Sequence, residues 1–242
     1  MKTIIIIPSR MASTRFPNKP MAIIDGLPMI QRVWQQAMAS NIGEVVVACC
    51  EKEVFDLIKS LGGDATMTPP ELPSGTDRIF EVIKYHPEGA EFDSIINLQG
   101  DMPIIDPEDI KKVNIPLIQG FDMGTLVTNI SSEEEENTNI TKAKITWIKK
   151  NYLGEAIDFY KLSQKHIKNI YHHVGIYSFR YDSLKKFVSL ESSPNELYHK
   201  LEQLRALDAK MNIGACFVQN MPLSVDTEDD LIKVENIIKT NK

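Results

Sequence analysis

Three cysteines in 242 residues, Cys49, Cys50 and Cys216, are too few and too oddly spaced for a disulfide framework or a zinc site. Neighbouring cysteines rarely bridge each other, so Cys49-Cys50 reads as packing at a strand end. Long apolar runs are also missing. The N-terminal one is four isoleucines, Ile4 to Ile7, cut off by Pro8 and Arg10. It is neither a secretory signal nor a membrane span. Together with unbridged thiols this predicts a reducing, cytoplasmic location and no membrane partner. A positive excess is lacking as well: the formal net charge is -6, which argues against a nucleic-acid binder. It does not exclude a nucleotide-sized anion, which needs only a local cationic patch. No G-x-x-x-x-G-K-[ST], G-x-G-x-x-G or G-x-S-x-G occurs. P-loop, dinucleotide and hydrolase-elbow chemistries are therefore not signalled. No internal repeat, low-complexity linker or clear domain boundary is visible, and one domain spanning 1–242 is expected.

What is present is an alternation. A buried strand at Thr3–Ile7 opens into a loop and then a helix on Met29, Ile30, Val33, Trp34, Ala37 and Met38. Val45–Ala48 is a second strand. Glu51–Leu61 is a helix stopped by Gly62-Gly63. Ser74 with Asp77 resembles a capping box for a helix over Arg78–Tyr85. Ser94–Leu98 is a third strand, and Asp106-Pro107 starts another helix. The order β-α-β-α-α-β-α implies a mostly parallel α/β sheet. The middle of the chain departs from it. Met123–Asn129, Lys142–Lys149 and Tyr171–Phe179 read as strands with no long helix between the last two, which predicts an antiparallel extension over roughly 130–190. Glu133 to Glu136 read as a solvated charge run without function. A helix is expected over Pro194–Leu207, a strand at Asn212–Val218, and a last helix opened by Asp226-Thr227.

Ligands in open α/β sheets sit at the carboxyl ends of strands, and three features fall there. The loop after Pro8 and Ser9 carries Arg10, Arg15 and Lys19 and no acid. Taken alone it reads either as a solvated basic turn or as a phosphate holder. Gln99-Gly100-Asp101 follows the third strand, with Gly100 permitting close backbone approach. Asp226 follows the last strand. Asp101 and Asp226 make a reasonable magnesium pair, because that ion takes one or two carboxylates plus substrate phosphates and water. Each also has a local reading. Asp101 could cap a turn, and Asp226 could cap its helix, although Thr227 with Asp230 could do so instead.

The stretch Ile7-Pro8-Ser9-Arg10-Met11-Ala12-Ser13-Thr14-Arg15-Phe16-Pro17-Asn18-Lys19-Pro20 resembles the nucleotide loop of cytidylyltransferases that activate acidic sugars, with CMP-Kdo synthetase (3-deoxy-manno-octulosonate cytidylyltransferase) the nearest family. Ser74-Gly75-Thr76-Asp77-Arg78, Asn97-Leu98-Gln99-Gly100-Asp101, His173-Val174-Gly175-Ile176-Tyr177, Leu201-Glu202-Gln203-Leu204-Arg205-Ala206-Leu207 and Val225-Asp226-Thr227 follow in the same order. The resemblance spans nearly the whole chain. It implies a three-layer, Rossmann-like nucleotidyltransferase fold whose antiparallel extension serves a homodimer. It further implies a magnesium-dependent enzyme that transfers CMP from CTP to the anomeric hydroxyl of Kdo or a Kdo-like acid, for lipopolysaccharide. By the same resemblance, Arg10, Arg15 and Lys19 hold the triphosphate, with Arg10, Lys19 and Asp101 catalytic. Pro8, Ser9, Ser74, Gly75 and Gln99 lie against the nucleotide, and Asp101 and Asp226 hold the metal. His173, Tyr177, Glu202, Gln203 and Arg205 fall near the sugar acid, Gln203 and Arg205 reading equally as a solvated helix face. His172 reads as a strand-surface histidine.

The chain departs from that family on the acceptor side. A Ser-Arg-Ala…Ile-Pro stretch is absent from the segment Asn151 to Ser163, which has no arginine. Met102 stands where the family has glutamate, Ala48-Cys49-Cys50 where it has Ala-Thr-Asp, and Asp208-Ala209-Lys210-Met211 where it has an aromatic-rich run. The acceptor is therefore left among Kdo, a modified Kdo, another ulosonic acid or a phosphonate, and a catalytically silent nucleotide-binding relative stands as the other class of reading.

Overall fold

A computed structural model describes residues 1–12, 16–161 and 168–240. The described chain divides into two compact units, Met1–Lys111 with Pro222–Lys242, and Lys112–Met221.

In the first unit β1 (Thr3–Pro8) is buried throughout its isoleucines. A hairpin of two-residue strands, β2 (Ile23–Ile24) and β3 (Leu27–Pro28), turns at Asp25-Gly26, where both residues have positive φ. That is the geometry an Asp-Gly turn supplies. It leads into α1 (Met29–Ser40), then β4 (Glu44–Cys49), α2 (Lys52–Ser60), β5 (Asp64–Met67), α3 (Gly75–Tyr85), β6 (Ser94–Asn97) and α4 (Pro107–Lys112). The strands run in the order β5-β4-β1-β6, all parallel. Short β5 is absent from the sequence-based expectation. It is an edge strand with no buried residue, so no apolar pattern marks it. The third helix starts at Gly75, three residues earlier than expected. The Ser74 hydroxyl oxygen accepts from the backbone N–H groups of Thr76 and Asp77, both at 3.1 Å, and its proton goes to Asp77 Oδ2 at 2.7 Å.

The second unit holds α5 (Ile115–Ile118), β7 (Met123–Thr128), α6 (Ser132–Glu136), β8 (Lys142–Lys149), β9 (Leu153–Tyr160), β10 (Ile170–Phe179), α7 (Tyr181–Ser189), α8 (Pro194–His199), α9 (Leu204–Asp208) and β11 (Ile213–Phe217). Here β10 pairs antiparallel with β7 and β8, β9 antiparallel with β8 and β11, and only β11 with β7 is parallel. The antiparallel character expected of the middle region is present, with β9 as an additional strand. The expected Pro194–Leu207 helix is two short helices. Lys200 has φ 54° and ends the first, so Leu197 is 65% exposed while Leu201 and Leu204 are buried. His172 is not a surface residue. It is 8% exposed, and its Nδ1 lies 3.2 Å from Glu134 Oε1, giving one member of the glutamate run a local partner.

The chain then returns to the first unit with α10 (Glu228–Thr240). Thr227 and Asp230 cap it reciprocally: Thr227 Oγ1 accepts from the Asp230 N–H at 3.3 Å, and Asp230 Oδ2 accepts from the Thr227 N–H at 3.1 Å. Asp226 is thereby relieved of capping. Ile24, Met29, Val225 and Val234 form a buried cluster against which Phe16, Leu231 and Ile238 pack. This apolar seam seats the C-terminal return beside the loop that follows β1.

Candidate active site

Pro8 ends β1 at the mouth of a cleft of about 360 Å³ in the first unit. Its walls include Pro8, Ser9, Arg10, Lys19, Ser74, Gly75, Gln99, Asp101 and Asp226. Among the described residues these are all the positions expected around nucleotide and metal; Arg15 lies outside the described residues. The loop is closed locally by the Asn18 N–H, which donates to the Met11 carbonyl at 3.3 Å, and Asn18 itself adopts a left-handed conformation with φ 57°. Lys19 begins a single turn of 3-10 helix, Lys19–Met21. The Met11 N–H is held at 2.9 Å by Glu51 Oε1, anchoring the loop to the start of α2.

Lys19 is the charge centre of the cleft. Its Nζ donates to Asp101 Oδ2 at 2.8 Å and to Asp226 Oδ1 at 3.2 Å. Burial disfavours the ammonium, but the charge and hydrogen bond of Asp101, and then those of Asp226, outweigh it and hold its pKa above the usual lysine value. The two carboxylates come from distant parts of the chain. The Val225 N–H donates to the Asp101 carbonyl at 2.9 Å, and that main-chain bond brings them together. A side chain on Gly100 would place its Cβ 2.9 Å from the Pro8 carbonyl, so only glycine lets the Asp101 turn lie this close to β1. Gln99 is oriented by donating Nε2 to Asn97 Oδ1 at 3.1 Å, and the Asn97 amide donates in turn to Thr76 Oγ1 at 3.3 Å.

No group of three or more histidine, cysteine or acidic side chains is arranged as a metal centre among the described residues. The donor set is a pair, and one cation, the Lys19 ammonium, already bridges it. Two carboxylates that converge on one positive charge fit a hard ion that completes its shell with phosphate oxygens and water.

One residue of this cleft was not singled out from the sequence, although its motif was. Arg78 is 2% exposed and lines the wall, its Nη1 donating to Thr68 Oγ1. The available signal was an arginine flanked by the buried helix residues Ile79, Val82 and Ile83. Burial pushes the thiols of Cys49 and Cys216 up to about 12, so they stay protonated.

The residues expected near the sugar acid lie in the second unit, and most are engaged by protein groups. His173 Nε2 is 3.0 Å from Thr125 Oγ1, and its ring meets Phe159 edge-on with centroids 5.0 Å apart. Burial, and then the neighbouring His172, lower its pKa to about 3, so it is neutral near pH 7. The Tyr177 ring lies 5.5 Å from that of His173; burial, and then the Glu202 charge, raise its hydroxyl well above the ordinary value. Gln203 is 5% exposed, not on a solvated face. Arg205 forms a two-point pair with Glu196, Nε to Oε2 at 2.8 Å and Nη2 to Oε1 at 2.6 Å, and its guanidinium lies over the Phe187 ring at 5.1 Å. Its fork is turned to an internal carboxylate.

A family model for cytidylyltransferases matches residues 4–213. The chain belongs to the cytidylyltransferase family. It is 46% identical over 240 residues to a protein of Paramagnetospirillum magneticum named 3-deoxy-manno-octulosonate cytidylyltransferase, covering 98% of this chain and 97% of that one. It is 44% identical over 234 residues to a protein of the same name from Parvibaculum lavamentivorans, covering 95% and 90%. Among solved structures, CMP:2-keto-3-deoxy-manno-octonic acid synthetase complexed with CTP matches with a TM-score of 0.91 at 33% identity over the full length of both chains. UDP-glucose pyrophosphorylase matches at TM-score 0.71 and 12% identity, a likeness of fold alone. This chain is thus a nucleotidyltransferase with the α/β fold of that class. No helix among the described residues is long and apolar enough to cross a membrane.

Proposed function

We propose that this cytidylyltransferase transfers CMP from CTP to the anomeric hydroxyl of Kdo and releases pyrophosphate. The observation that carries the reading is the cleft of the first unit, where Lys19 bridges Asp101 and Asp226 at the strand ends. Arg10, Arg15 and Lys19 bind the triphosphate. Lys19, charged across the neutral range, stabilises the negative charge that builds on the departing pyrophosphate. Asp101 and Asp226 would hold magnesium, which when bound offsets phosphate charge and polarises the phosphorus under attack. Gly75 keeps the wall low beside Pro8 and Gln99, where a Cβ would lie 3.2 Å from the proline ring, and Ser74 and Gln99 align the nucleoside. On the acceptor side, His173, Tyr177, Glu202 and Gln203 receive the sugar acid, and Arg205 holds the turn that carries Glu202 and Gln203. The working form is a cytoplasmic homodimer serving lipopolysaccharide synthesis.

The test is pyrophosphate release from CTP and magnesium with Kdo, 8-amino-Kdo, neuraminic acid and a small phosphonate. Kdo is expected to turn over fastest. A faster rate with another acid would move the acceptor. CTP binding without turnover on any acid would mark a silent relative.

A further inference from the structure

Arg10 stands between two residues whose backbone N–H groups are both fixed. The Ser9 N–H donates to the Ala48 carbonyl near the end of β4 at 2.8 Å, and the Met11 N–H donates to Glu51 Oε1 at 2.9 Å. The first is a main-chain bond that any residue at position 48 would supply. The second depends on one side chain. Glu51 precedes α2, yet its carboxylate makes no capping bond to that helix. It is turned to the loop instead. Oε1 also accepts from the Cys50 thiol at 3.1 Å, and Oε2 is covered from solvent. Burial, and then the bond to Glu51, hold the Cys50 thiol above the ordinary cysteine value, so it stays protonated and donates. The same sulfur is hydrogen-bonded to the side chain of Arg78 on the cleft wall. One carboxylate thus ties the loop after β1 to the end of β4 and, through Cys50, to α3.

Met11 is the joint of this loop. Its N–H is held from outside by Glu51, and its carbonyl accepts from the N–H of Asn18, the residue before Lys19, at 3.3 Å. Arg10 is exposed. An exposed arginine on an untethered loop loses part of its binding free energy to being ordered. We infer that Glu51 is a positioning residue for the triphosphate: by holding the Met11 N–H it fixes the backbone that presents Arg10 and, through Asn18, Lys19 to the departing phosphates. A hydrogen bond from a main-chain N–H to a carboxylate oxygen is among the stronger kinds, and cover from water strengthens it further. The loop is thereby ordered when the chain folds and not when the nucleotide arrives, which is preorganisation. The inference rests on the reading of this cleft as the CTP site.

The experiment is calorimetric titration, with magnesium, of CTP and CMP into the wild-type protein, Glu51→Ala and Glu51→Gln. In Glu51→Ala, CTP should bind about 10- to 50-fold more weakly, while CMP, which lacks the two outer phosphates, changes by less than about threefold. Glu51→Gln keeps an oxygen acceptor for the Met11 N–H and should restore CTP binding to within about fivefold of the wild type. Unchanged CTP binding in Glu51→Ala overturns the inference. Equal weakening of CTP and CMP does so too, because it assigns Glu51 to the fold at large, and so does a Glu51→Gln no better than Glu51→Ala. Should Glu51→Ala fail to fold, amide hydrogen exchange on the ligand-free wild type decides without a variant. The Met11 N–H should exchange about 100-fold or more slowly than in an unstructured chain, and exchange at the unprotected rate overturns the inference. A wild-type protein that binds no CTP but protects Met11 overturns the reading of the cleft itself, a result distinct from CTP binding with a free Met11 amide.

Discussion

The cleft of the first unit and the acceptor-side residues of the second are built on opposite principles. In the first, charged groups are left partly accessible: the Lys19, Asp101 and Asp226 side chains are 16%, 25% and 42% exposed, and Arg10 is exposed. In the second, the Arg205 and Glu196 side chains are both 11% exposed and paired with each other, and His173 is neutral and packed. A group that faces a cavity with its charge available can work on a ligand. A charged pair that is largely covered by the protein chiefly shapes what surrounds it. The difference is one of exposure: both units pair their charges within the protein, but Lys19, Asp101 and Asp226 border a cleft whereas Arg205 and Glu196 are largely covered.

Four experiments break or sharpen this contrast. The largest effect is expected from Asp101→Asn and Asp226→Asn. Each should lower the rate of pyrophosphate release by about 100-fold or more and leave the urea midpoint close to that of the wild type. Near-normal turnover in either would remove the carboxylate pair from the chemistry. Next, Glu196→Gln or Arg205→Met should cost about 2–4 kcal/mol of stability in urea unfolding, because one partner of a largely buried pair is left behind. Unchanged stability with lost Kdo turnover would turn Arg205 from support to substrate binding.

A smaller effect concerns His173. Its folded pKa, about 3, lies below the ordinary 6.5. The unfolded chain therefore takes up a proton that the folded one refuses, and stability should fall as pH drops from about 6.5 towards 3. The slope from this group is about 1.4 kcal/mol per pH unit at most. His173→Gln should flatten the stability-against-pH curve in that window, and an unchanged curve would show that the histidine titrates normally. The smallest is Gly100→Ala, expected to cost about 1–2 kcal/mol as the Asp101 turn moves off the Pro8 carbonyl. Thermal unfolding at full activity would show that the turn relaxes without disturbing Asp101.

Much of the first unit was legible from periodicity, because its parallel strands are buried on both faces and read as apolar runs. Ile4–Ile7 and Ser94–Asn97 are of this kind. The Thr227–Asp230 cap that frees Asp226 was also readable, since it depends on residues three apart. Strands β5 and β9 were not. The first is exposed at an edge, and the second has its apolar residues interrupted by Glu155 and Asp158 and lacks a long buried run. The break at Lys200 was equally hidden, because leucines at helical spacing say nothing about a left-handed residue between them.

The sequence by itself determined the residue types of the cleft, their order along the chain and their placement at strand ends, all of which are local properties. Tertiary structure alone decided that Asp101 and Asp226, 125 residues apart, share one ammonium, that Arg78 reaches the cleft wall, and that Arg205 serves Glu196. Each of these depends on contacts between segments distant in sequence, and hydrophobic period and capping chemistry carry no information about such contacts.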